Sequence, residues 1–210
     1  MMCTLSAHLL VIISYTNKGN IMKNFVLFIV LLSNIVYAQV AEATFGGGCF
    51  WCMEAAFQPI KGVLHAESGY MGGNKNDANY KEVSTGKSAH YEVVRVQYDT
   101  KIISYQELLE IFWKNIDPID AKGQFYDKGE QYKTVIFYKN EQEKVMALRS
   151  REALDKSGRF SKKIVTEIKP AKVFYKAEAY HQDYFIKNSL HYKMYKKASG
   201  REEYLKKVWK

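Results

Sequence analysis

Proline is nearly absent from this chain, with three in 210 residues, and that scarcity argues against a Pro-rich linker or an extended unfolded tract. Cysteine is as rare. Cys3, Cys49 and Cys52 are too few for a disulfide-stapled scaffold. No second Cys-x-x-Cys exists, and His65, His90, His181 and His191 are scattered, so a closed zinc site lacks ligands. Haem attachment to a Cys-x-x-Cys needs a following histidine, and position 53 is Met53. The first 38 residues hold no acidic side chain and two basic ones, Lys18 and Lys23. The apolar run Phe25 to Leu32 is short for a bilayer span. There is no internal repeat and no low-complexity segment.

What is present suits one well-buried domain: 210 residues, 47% of them hydrophobic. The net charge is +9, of which the chain after residue 38 carries +7. Basic and acidic residues alternate from 101 to 170, and only Lys187 to Lys210 is persistently basic. That tail reads as a solvated basic helix rather than a nucleic-acid or membrane patch.

Met22-Lys23-Asn24, the apolar stretch after it and the small residue Ala38 have the form of a secretory signal, with cleavage expected between Ala38 and Gln39. Residues 1–21 then read as upstream sequence and residues 39–210 as the mature domain with its basic helical tail. The expected location is periplasmic or secreted, with no stable membrane insertion after cleavage and an anchor only if the signal is kept. Cys3 is lost on this reading, leaving Cys49 and Cys52. Two cysteines in an exported protein commonly form a structural disulfide. A link across so few residues closes too small a loop to stabilise much, so a reactive pair is the better reading.

The run GGGCFWCMEAAF, Gly46 to Phe57, holds that pair. Three glycines propagate a helix poorly whereas the following residues propagate one well, so a helix is expected from Cys49 to Phe57, stopped by Pro59 and Gly62. Cys49 in a first helical turn would meet free N–H groups and the positive dipole end, which favour the nucleophilic thiolate. Cys52 follows one turn later at a spacing a disulfide can span. On its own, Cys-x-x-Cys fits a redox pair, half a zinc site, a haem attachment point or two buried helix cysteines. Phe50 and Trp51 between them fit either core packing or the walls of a small apolar pocket.

Along the rest of the chain, short strands are expected at Ala43 to Gly46 and Val63 to Gly69, then a loop over Tyr70 to Asp77. HYEVVRVQY, His90 to Tyr98, alternates as a strand with His90, Glu92, Val94, Val96 and Tyr98 on one face. Ser104 with Glu107 forms a capping box before a helix from Tyr105 to about Lys114. A glycine-bearing loop (121–131), a strand at Thr134 to Tyr138, a helix from Glu141 to about Lys156 and short strands around Pro170 follow. A helical tail is expected from Glu178. Strands and helices mix without a regular βαβ repeat, which implies α+β with a central mixed sheet flanked by helices.

GCFW, GYMGG, HYEVVRVQYD, DP, GQFYDKGEQY, TEI and AEAYHQDY occur in this order from about Thr44 to Tyr184. Together they resemble the peptide methionine sulfoxide reductase A family, in its form with a CFWC motif. The resemblance implies a single α+β domain with a ferredoxin-like two-layer core, and reduction of methionine S-sulfoxide, free or in proteins, without metal or organic cofactor. It implies that Cys49 attacks the sulfoxide sulfur, Phe50 and Trp51 hold the S-methyl group, and Glu92 protonates the oxygen. Tyr70 and Tyr132 would hydrogen-bond that oxygen, and Asp127 would organise the polar side. A carboxylic acid can serve as such a donor only if burial raises its pKa, which requires Glu92 on the inward strand face. Cys52 would resolve the Cys49 sulfenic acid as a disulfide, and a thioredoxin-like reductant would restore the thiols. The protein is expected to repair oxidised proteins, to be a monomer and, from its charge distribution, to bind no nucleic acid. SAHYE departs from the TGHAE of many relatives. Two other classes compete: a general disulfide oxidoreductase using the Cys-x-x-Cys directly, and a non-catalytic binding protein using the basic tail.

Overall fold

The computed structural model describes residues 39–209, so the signal segment and the Met22 start lie outside the described residues. β1 (Val40–Gly47) buries Ala43 and Phe45. It leads through a glycine turn into α1 (Phe50–Phe57), which crosses to β2 (Val63–Met71). Gly62, at φ +95°, supplies the left-handed bend between them, after Pro59 has ended the helix. α2 (Tyr80–Val83) is a single turn where the sequence reading placed no element; Asn79 caps it by accepting the Glu82 N–H at 3.1 Å.

β3 (Tyr91–Asp99) lies between β1 and β2, antiparallel to both. Glu92, Val94, Val96 and Tyr98 are buried on the helix side, as the alternation predicts. α3 (Tyr105–Trp113) starts at the expected capping box. The Ser104 hydroxyl accepts the Glu107 N–H at 3.2 Å and the Glu107 carboxylate accepts the Ser104 N–H at 2.8 Å. The loop after it contains a small hairpin, β4 (Gly123–Gln124) with β5 (Asp127–Lys128). β6 (Thr134–Tyr138) adds to the other side of β1, antiparallel to it.

α4 (Glu141–Lys156) then returns the chain to β7 (Glu167–Pro170), parallel to β6, and β8 (Tyr175–Lys176) pairs with β2 at the far edge. The sheet is therefore mixed, in the order β7-β6-β1-β3-β2-β8. Its inner strands β6-β1-β3-β2, with α1 and α3 as the crossovers, have the ferredoxin-like arrangement. Phe45 at its centre stacks on Phe57 of α1 at 5.1 Å and on Phe112 of α3 at 5.2 Å, which pins both helices to one face.

The tail differs from expectation. Residues 179–183 are turn, and three helices follow: α5 (Tyr184–Lys187), α6 (Ser189–Ala198) and α7 (Arg201–Val208). They are not simply a solvated basic segment. Tyr192 and Arg201 are buried, and Tyr192 packs with Cys49 and Cys52. Among the described residues no helix is long and apolar enough to cross a membrane.

Candidate active site

The glycine turn exists because nothing larger fits. A Cβ on Gly47 would sit 2.6 Å from the Met53 sulfur; on Gly48, already at φ +84°, it would sit 2.6 Å from Gln124 Cβ. That crowding sets the entry to α1. Cys49 is the N-cap, one position before the helical turn in which the sequence places it; its carbonyl accepts the N–H of Cys52 at 3.1 Å and of Met53 at 3.4 Å. Both cysteines are free and buried.

Burial, with the hydrogen bond to Cys52 adding to it, pushes the Cys49 thiol well above its ordinary value. The expected thiolate at Cys49 is thus reversed in the free protein. A helix N-terminus contributes only about 0.3–1 kcal/mol, less than the cost of an anion in a dry site. Cys52 is drawn down to about 7 by the hydrogen bond from Cys49, with the Arg201 cation assisting and burial opposing. One proton therefore rests on Cys49 while Cys52 takes the anionic character.

Glu92 stands on the inward face of β3, 2% exposed, and its Oε2 accepts the Phe50 N–H at 3.1 Å. Among the described residues no cation forms an ion pair with it. Burial pushes its carboxyl up to about 8, with Asp127 and Cys52 adding to the effect, so it is protonated at neutral pH. This is the state a proton donor requires, at the backbone of the residue that follows Cys49.

Phe50 and Trp51 do form an aromatic wall. Phe50 is buried against His181 at 4.8 Å and Tyr70 at 5.9 Å between ring centres. Trp51 stacks on Tyr184 at 3.8 Å and donates its indole N–H to His181 Nδ1 at 3.1 Å. Glu54, one turn further along α1, secures the chain after His181. Its carboxylate accepts the Asp183 N–H and the Ser68 hydroxyl, each at 2.8 Å. Gln182 bonds the backbone N–H and carbonyl of Ser68 like an added strand.

Tyr70 contributes its ring to the wall, while its hydroxyl donates to Glu178 at 2.8 Å. Tyr132 follows the β5 hairpin; burial raises its phenol, and Glu92, Tyr80, Asp127 and Cys49 add to the shift. Asp127 is half-buried and accepts the Tyr195 hydroxyl. Burial raises its carboxyl, an effect opposed by the Tyr195 bond and by Arg201.

Cys49, Cys52, Glu92, Tyr132 and Asp127 are therefore one electrostatic cluster beside the Phe50–Trp51 wall. The sequence reading missed four members. Tyr80, on the unexpected α2, has a phenol raised by burial and by Glu92 and Cys49; its signal was the Asn79 cap before it. His181 was weighed only as a metal ligand, although it sits inside the motif AEAYHQDY. Tyr195 and Arg201 belong to the tail and carry no local motif. Among the described residues no group of three or more His, Cys, Asp or Glu could hold a metal ion.

Known proteins agree with this architecture. The family model "Peptide methionine sulfoxide reductase" matches residues 41–210. Peptide methionine sulfoxide reductase MsrA of Listeria monocytogenes (serotype 4a, strain HCC23) is 47% identical over 172 residues, covering 82% of this chain and 97% of its own. The MsrA of Halalkalibacterium halodurans is 46% identical over 171 residues, covering 81% and 97%. Among solved structures, reduced Mxr1 from Saccharomyces cerevisiae matches with a TM-score of 0.67 at 30% identity, over 71% of this chain and 86% of that one. Methionine sulfoxide reductase A of Corynebacterium diphtheriae matches with a TM-score of 0.64 at 29% identity, over 74% and 78%. With a family model spanning residues 41–210 and relatives near half identity over almost their whole length, this chain belongs to the peptide methionine sulfoxide reductase family.

Proposed function

We propose that the chain reduces methionine S-sulfoxide to methionine, free or in proteins, with Cys49 as nucleophile, Glu92 as proton donor and Cys52 as resolving thiol. The observation that carries this reading is the buried, protonated Glu92 held on the N–H of the residue after Cys49. Sulfoxide oxygen leaves sulfur only if its developing charge is neutralised. The S-methyl group sits against Phe50 and Trp51, and the oxygen is turned toward Glu92, Tyr80 and Tyr132. Tyr70, its hydroxyl bound to Glu178, serves as wall. Asp127 organises the polar side of the site.

Cys49 sulfur gives up two electrons to the substrate sulfur and takes the oxygen, leaving methionine and a Cys49 sulfenic acid. As the substrate S–O bond breaks and the thioether leaves, the proton that burial held on Cys49 restores the one Glu92 gave to the oxygen. Cys52 then condenses with the sulfenic acid, releasing water and forming the Cys49–Cys52 disulfide. A thioredoxin-like dithiol reduces that disulfide. The protein works as a monomer in an exported location; an N-terminus at Gln39 on protein recovered from producing cells would establish the processing, and an intact Met22 N-terminus would refute it.

The test uses the protein from Gln39, dithiothreitol and a peptide bearing separate S and R sulfoxide epimers. Loss of one oxygen from the S epimer alone is expected. Cys49→Ser should abolish it, and retained turnover would sink the assignment. Cys52→Ser should yield one methionine per enzyme and then stall with thioredoxin as the reductant.

A further inference from the structure

Arg201 is 2% exposed, at the start of α7. Among the described residues no carboxylate forms an ion pair with it. Its Nη2 donates to the Gly47 carbonyl at 2.9 Å and its Nη1 to the Asn115 carbonyl at 2.5 Å. The same Nη1 lies 4.0 Å from the Met53 sulfur, and the guanidinium stacks on Phe125 at 4.5 Å. It thus reaches the residue two before Cys49 and the residue directly after Cys52. A buried cation without a carboxylate is costly unless another anion answers it. Two anions stand near it: the Asp127 carboxylate, which already takes the Tyr195 hydroxyl, and a cysteine thiolate.

We propose that Arg201 is a positioning residue for the resolving step, its guanidinium holding the glycine turn and stabilising Cys52 as the thiolate that attacks the Cys49 sulfenic acid. The proposal rests on the reductase reading above. In the step, the Cys52 electron pair forms the S–S bond as the Cys49 S–O bond breaks. Hydroxide leaves, takes a proton from Glu92 and departs as water.

Other groups face Cys52 and set the balance. Cys49 donates to it, and Lys196 of α6 acts in the same direction as Arg201. Asp127 of β5 and Glu92 of β3 oppose an added negative charge, and the neighbouring Asp127 carboxylate is itself held by Tyr195. The Tyr192 and Tyr195 phenols of α6 are raised and neutral beside it. Lys196 is spent on Glu202 at 3.2 Å, which leaves Arg201 as the dry cation of the set.

The experiment follows methionine release and disulfide formation separately in one turnover without reductant, across pH. In Arg201→Gln the burst should still reach one methionine per enzyme. The Cys49 sulfenic acid, trapped with dimedone, should persist, and disulfide formation near neutrality should slow about tenfold for each unit its pH midpoint rises. Arg201→Lys, which keeps the charge, should restore much of that rate. An unchanged midpoint and rate in Arg201→Gln would overturn the proposal. Should that variant fail to fold, pH-dependent alkylation of Cys52 in Cys49→Ala decides, since the hydrogen bond from Cys49 is then gone: a midpoint still well below that of an ordinary thiol supports the role, and an ordinary midpoint refutes it. Absence of any methionine burst in the unmodified protein would instead refute the reductase reading.

Discussion

Glu92 and Glu67 are buried carboxyls on neighbouring strands of one sheet, and one is neutral where the other is an anion. Glu67 faces away from the helices, where Arg95 of β3 and Lys176 of β8 reach it at 2.5 and 2.6 Å. Burial pushes its carboxyl up, but the bonds from Lys176 and Arg95 outweigh burial and bring it below the usual value. Glu92, on the other face, accepts the Phe50 N–H and, among the described residues, pairs with no cation, so burial prevails and it stays protonated. The same residue type becomes a structural anion or an acid according to whether a cation is supplied. What keeps Glu92 protonated is the omission of a partner, while on the other side of the sheet Arg95 and Lys176 are both committed to Glu67.

The largest break in this comparison is Glu92→Gln. It keeps the size and the acceptor for Phe50 N–H but removes the proton, and should lower sulfoxide reduction by roughly 10²–10⁴-fold, read as methionine formed under saturating dithiothreitol. A loss of less than fivefold would assign the proton to another group. In the unmodified protein, the rate of methionine formation should fall as pH rises past about 8, where Glu92 ionises. Glu92→Gln should lack that limb, since nothing remains at the position to titrate.

A second effect has the opposite sign. A carboxyl whose folded pKa is raised contributes its full stability below the unfolded carboxylate value and loses it progressively as pH rises toward 8. Glu92→Gln should therefore melt at the same temperature as the unmodified protein near pH 4 and at least ~3 °C higher near pH 8. Coincident melting at both pH values would show that Glu92 is not held protonated. The smallest effect belongs to the other face. Glu67→Gln leaves Lys176 without its anion and Arg95 with only Glu42 at 4.0 Å, and should cost about 1 kcal/mol of unfolding free energy, because solvent reaches both cations. Its sulfoxide reduction should stay within about twofold of the unmodified rate, since the change is confined to the far face.

Much of this was legible along the chain. Elements with their own local signal came out nearly to the residue: the capping box at Ser104, the alternation from His90 to Tyr98, the helix of good formers at Glu141–Lys156. The catalytic helix was off by one residue because the close packing of Gly47 and Gly48 against Met53 and Gln124, rather than helix propensity, decides where the turn ends. The single turn at Tyr80 was missed because four residues carry no period. The tail was read as one solvated helix because nothing local marks Tyr192 or Arg201 as buried.

By itself the sequence determined the family, the α+β order of elements, the two cysteines one turn apart, and the strand face on which Glu92 lies. These follow from local composition and from period-two and helical spacing, which neighbours along the chain suffice to express. Only the tertiary structure decided the charges. It left Glu92 without an ion pair among the described residues, buried Cys49 deeply enough to reverse the pull of the helix end, and brought Tyr80, Tyr195 and Arg201 to the pair from distant segments. Protonation depends on burial and on what stands opposite, and both are set by residues up to 154 positions away.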